Sequence, residues 1–72
     1  MSEDVLRKLR VELSELSERY YKLDRFIDSE KFDSLDVYIK SQTIDQHQSM
    51  LNYKWSLSNR ITYMESKQKE TK

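Results

Sequence analysis

The sequence contains no cysteine, no glycine and no proline, and each absence removes a class of protein. Without cysteine there is no disulfide, no thiolate metal site and no thiol nucleophile. Without glycine there is no phosphate-cradling glycine loop and no nucleophile elbow. Tight turns with positive φ favour glycine, and loop-rich folds lean on both glycine and proline. A chain lacking both is expected to have few turns and long helices. A long apolar run is missing too: nothing approaches the roughly 18 residues of a membrane span. The amino-terminal Met1-Ser2-Glu3-Asp4 is acidic, unlike a signal peptide, so a cytoplasmic location is expected.

Charge of one sign is likewise lacking. Thirteen basic residues stand against 13 acidic ones, which disfavours non-specific binding to a nucleic acid polymer, since that needs a basic excess. The balance suits helices with interleaved signs. At 72 residues the chain is at most one small domain. Such a domain buries a poor share of its surface alone and needs a disulfide, a metal or a partner subunit. With thiols absent and one histidine in the chain, a homo-oligomer is the expected support.

What is present is heptad pattern. Leu6, Leu9, Leu13, Leu16, Tyr20, Leu23 and Ile27 follow alternating steps of three and four, the a and d positions of a coiled-coil seam. Glu3 and Asp4 favour the positive end of a helix that Ser2 would cap. The pattern predicts a helix over about residues 3–28. Ser29, Asp33, Ser34 and Asp36 then break it, because their side chains compete for local backbone groups. A short helical turn is expected around 29–33 within a connection of 29–35, with Phe32 and Leu35 covering that end and Ser34 or Asp36 capping a second helix over about 36–64. Residues 65–72 hold no apolar side chain and are expected to be a frayed polar tail.

The second helix carries two apolar lines. Ile44, Leu51 and Trp55 share one; Met50, Leu57, Ile61 and Met64 share the other, with His47, Lys54 and Ser58 between them. Two lines need two neighbours. The expected fold is therefore all-α: an antiparallel helical hairpin assembled into a homo-oligomeric bundle, one line facing the first helix and the other a second subunit.

Little in the sequence suggests catalysis. His47 has Asp45 two residues earlier, and residues two apart on a helix do not face each other. A metal would need both side chains again from another subunit, and a lone histidine beside a mixed apolar face reads more simply as an interface residue. No metal, no cofactor and no enzymatic activity are expected. Residues 46–64 are different: they contain no Asp or Glu, yet offer Lys54 and Arg60 as cations, Tyr53, Trp55 and Tyr63 as rings, and Asn52 among several amides. Rings, cations and amides are what a phosphorylated base requires, and aromatic and arginine enrichment also marks a protein–protein hot spot. Tyr53, Lys54, Trp55, Arg60, His47 and Asn52 are the candidate binding residues; plain packing of the same side chains is the third reading.

The run Lys22-Leu23, Phe26-Ile27-x-Ser29-x-x-Phe32-x-x-Leu35, then Gln46, Met50, Tyr53, Leu57 and Arg60-Ile61, resembles a group of small accessory proteins of tailed bacteriophages. The likeness covers roughly residues 13–64, and departs from the group where Thr43-Ile44 replaces a Leu-Leu pair. It implies a protein made during infection that acts in the host cytoplasm. Its expected role is counter-defence or host takeover, by sequestering a nucleotide immune signal or by blocking a host protein. The alternative is a coiled-coil scaffold module.

Overall fold

A computed structural model describes residues 3–70, with side chains through residue 68. Three helices account for nearly all of it: α1 (Glu3–Ile27), α2 (Glu30–Asp33) and α3 (Val37–Glu70). The two long helices form a hairpin, and the single turn of α2 lies at its closed end. Cα extents of 56 × 15 × 14 Å make the molecule a rod two helices wide. The expected Ser2 cap of α1 lies outside the described residues.

The connection works without glycine. Among the described residues no backbone φ is positive; side chains meet the helix ends instead. Ser29 caps α2 by accepting from the Phe32 amide at 3.3 Å, while its hydroxyl donates back to the Phe26 carbonyl. Asp36 caps α3, its carboxylate accepting from the Ile39 amide at 2.9 Å. Phe32 is buried beside Phe26, edge to face, with the Lys40 ammonium 5.9 Å from its ring centroid. Replacing Asp36 by alanine removes the cap of the longest helix and is expected to cost about 1 kcal/mol, read as a lower urea midpoint with an unchanged slope.

Apart from Phe32, the buried apolar side chains among the described residues lie in the open half of the hairpin. Leu6, Leu9 and Leu16 of α1 pack with Leu57, Ile61 and Met64 of α3, and Leu13 and Met50 lie half-buried against them. Tyr20, Leu23, Ile27 and Leu51 are half-buried, and Ile44 is exposed. Of the two apolar lines on α3, the one through Met50, Leu57, Ile61 and Met64 thus faces α1.

Helix α3 runs past Met64 to Glu70, where the sequence pattern predicts a polar tail. A long-range contact accompanies the extension: Arg10 donates to the Glu65 carboxylate at 2.6 Å across the helices. Within α3, the Lys67 ammonium sits 5.4 Å from the Tyr63 ring centroid. The Arg10–Glu65 pair is about half exposed on both sides, so its own contribution is small, about 0.2–1 kcal/mol.

Candidate binding site between the long helices

Steps of three and four taken back from Leu57 along α3 reach Lys54, Met50, His47, Thr43 and Lys40, the positions that should face α1. The seam therefore turns polar toward the middle of the hairpin. There α1 answers with Tyr20, Tyr21 and Asp24. The His47 ring stacks on Tyr20 with centroids 4.5 Å apart and planes 23° from parallel. Its Nε2 lies 3.0 Å from Asp24 Oδ1; an ionised carboxylate only accepts, so Nε2 donates. Tyr20 meets Tyr21 edge to face at 5.5 Å. The Lys54 ammonium stands 4.6 Å from both tyrosine ring centroids.

The charges are unequally matched. Asp24 is engaged by His47, whose side chain is 21% exposed. Lys54 is half-buried, and among the described residues no carboxylate lies within ion-pair distance of its ammonium. Two ring faces hold it in place; such contacts contribute about 0.5–2 kcal/mol each, depending on how dry they are. The arrangement is a fixed cation, a stacked ring pair and one carboxylate along a single flank of the hairpin. Leu51 lies along the helix between His47 and Lys54, with Ile44 two turns before it and Trp55 one turn after.

The six candidate binding residues do not converge. His47 and Lys54 come together in the cluster. Trp55 and Tyr53, one residue either side of Lys54, lie about 100° from it on opposite flanks of α3. Both are exposed. Asn52 is exposed on the side of α3 away from α1 and accepts a hydrogen bond from Gln48 at 3.2 Å; Arg60 is exposed on the flank it shares with Tyr53, seven residues before it. Asp24 and Tyr21 belong to the cluster, and sequence reasoning missed them as site residues. The signal for them is the polar continuation of the α3 seam, which in an antiparallel hairpin must meet residues 20–24.

A separate cleft of about 260 Å³ opens at the other end, lined by Glu3, Asp4, Leu6, Arg7, Arg10 and Gln68. It is some ten residues of α1 from Tyr20, about 15 Å, and the cluster does not border it. Among the described residues no three His, Cys, Asp or Glu side chains are placed to hold a metal ion. No described helix is long and apolar enough to cross a membrane.

The family model of Sequestin matches residues 3–63, from the first turn of α1 through most of α3. The chain belongs to the Sequestin family. That match takes in α1, the capped turn, most of α3 and every residue of the Tyr20–Lys54 cluster, so the polar seam falls within the Sequestin unit. No curated protein and no solved structure matches the chain.

Proposed function

We propose that this Sequestin is a non-catalytic binding protein, working as a homo-oligomer, that sequesters a small phosphorylated aromatic molecule of the nucleotide class. The observation that carries the reading is Lys54. A half-buried ammonium held by two rings, with no carboxylate paired to it among the described residues, is prepared for an anion from outside the chain. Beside it the stacked Tyr20–His47 pair and exposed Trp55 offer faces for a base. The family name is consistent with a sequestering role. With the resemblance to phage accessory proteins, the reading places the chain in an infected bacterial cytoplasm, where withdrawing a nucleotide signal disarms host defence.

A second reading has its own observation. Tyr38, Tyr53 and Tyr63 are exposed along α3, with Arg60 among them, a composition suited to gripping and blocking a host protein. A scaffold module, the third possibility, needs none of these side chains. Lys54→Ala separates them. With adenosine diphosphate as the probe, sequestration predicts at least a tenfold loss of affinity, about 1.4 kcal/mol, with helicity and oligomeric state intact. Arg60→Ala, about 120° around α3 from Lys54, is expected to change affinity less than threefold. Equal affinity of Lys54→Ala and the unaltered protein would remove the nucleotide reading.

A further inference from the structure

Rings alone tell one base from another poorly, since every base has a face to stack. Discrimination needs a hydrogen-bonding group whose character is fixed. In the Tyr20–Lys54 cluster the Lys54 ammonium only donates and the Asp24 carboxylate only accepts, while the hydroxyls of Tyr20 and Tyr21 rotate to suit. His47 can do either, and its partner decides which.

That partner is Asp24. Nε2 of His47 lies 3.0 Å from Asp24 Oδ1. A carboxylate has no proton to give, so the proton of the neutral ring stays on Nε2 and Nδ1 carries a lone pair. The second restraint is the stack on Tyr20, with centroids 4.5 Å apart and planes 23° from parallel. One contact acts in the plane of the imidazole and the other on its face, so the ring cannot turn over without losing the first. Among the described residues Asp24 is the one hydrogen-bond partner of the ring, and no buried side-chain nitrogen or oxygen there lacks a partner. Nδ1 therefore opens to solvent. The His47 ring and the Lys54 ammonium both lie within 4.6 Å of the Tyr20 ring centroid, which sets the acceptor and the cation beside the same ring. Asp24 itself is 51% exposed. Its contact with His47 contributes little to stability, and its effect falls on the imidazole.

We infer that Asp24 is a positioning residue: it holds His47 with the proton on Nε2, so that Nδ1 stands as a fixed acceptor and selects ligands whose base presents an amino or N–H donor. The selection rests on the reading of the cluster as a ligand site; the tautomer does not. An amino-substituted purine gives a donor to Nδ1. The same purine without its amino group presents ring nitrogens there, acceptor against acceptor. Exchanging one for the other leaves the phosphates and the stacking face in place, so the difference in affinity reads Nδ1. One hydrogen bond to an accessible group corresponds to about fivefold in affinity.

Two measurements separate the parts. His47 is the single histidine of the chain, so the nitrogen NMR spectrum of isotopically labelled protein at alkaline pH reads its neutral ring directly. The unaltered protein is expected to show a pyrrole-type Nε2 and a pyridine-type Nδ1. Asp24→Asn, whose amide donates as well as accepts, is expected to mix the tautomers and bring the two resonances together, with helicity retained. Calorimetry then compares adenosine diphosphate with purine riboside diphosphate, its analogue without the amino group. The unaltered protein is expected to prefer adenosine diphosphate about fivefold. In Asp24→Asn, and in His47→Phe, which keeps a ring on Tyr20 but has no acceptor, the two affinities are expected to agree within about twofold. A proton found on Nδ1, or a spectrum that Asp24→Asn leaves unchanged, overturns the tautomer. Equal affinities in the unaltered protein, or a preference that survives both substitutions, overturn the selection and leave the nucleotide reading standing. A protein that binds neither diphosphate removes the nucleotide reading and the selection with it, while the spectrum still decides the tautomer.

Discussion

Leu57→Asp is expected to leave the chain without its hairpin, with most of its far-ultraviolet helical signal lost at 25 °C. Leu57 has no exposed surface and sits in the apolar cluster of the described residues, with Leu6, Leu9 and Leu16. Truncating such a leucine to alanine costs about 2–5 kcal/mol, and aspartate adds the cost of a carboxylate without a partner. A domain of this length has a total stability of about 4–10 kcal/mol, so the change consumes most or all of it. Neither long helix has an independent reason to persist, because isolated helices in water are marginal without a packed face. Leu57→Met, which keeps volume and polarity, is expected to cost less than about 1.5 kcal/mol. Circular dichroism with urea titration checks both. A folded Leu57→Asp would show that the core lies elsewhere.

Tyr20→Ala is expected to have the second-largest effect, because one ring is the meeting point of three others' contacts. His47 stacks on it, Tyr21 meets its edge and Lys54 stands over its face. Its removal frees the Lys54 ammonium to turn to solvent and leaves His47 held by Asp24 alone. Tyr20 is half-buried, so the stability cost is expected to be about 2 kcal/mol, below the 3–5 of a fully buried ring. Affinity for a nucleotide probe is expected to fall further, at least thirtyfold, or about 2 kcal/mol, since both the stacking face and the placed cation are lost. Tyr20→Phe keeps the ring and is expected to retain stability and binding to within threefold. If Tyr20→Ala binds as the unaltered protein does, the cluster is packing and the ligand is held elsewhere.

The all-helical architecture is readable in the heptad steps from Leu6 to Ile27 and in the missing glycine and proline. Two apolar lines on the second helix point to a face the hairpin leaves open. Two features escaped that reading for the same reason. A search for apolar periodicity passes over polar residues, yet the seam of α3 continues through Lys54, His47 and Thr43, and this places them against Tyr20 and Asp24. Asp24 resembles any surface carboxylate until its partner, 23 residues on, is known. The helix beyond Met64 escaped similarly: its cross-helix partner is Arg10, 55 residues away in sequence, and no local pattern shows such a pair. Tyr53, Asn52 and Arg60 attract attention through residue type, but residue type carries no azimuth. Helix geometry puts Tyr53 and Arg60 on one flank of α3 and Asn52 on its outer side, none of them in the cluster.

The central claim is that this Sequestin works by holding a small anionic ligand within an assembly of hairpins. A native mass spectrum of the protein purified from bacterial cells tests it most directly, because stoichiometry and retained mass are read together. The expected result is a dimer, or a multiple of one, with added mass of nucleotide size that Lys54→Ala no longer carries. A monomer with no added mass, from protein that is fully helical in solution, would contradict both halves of the claim.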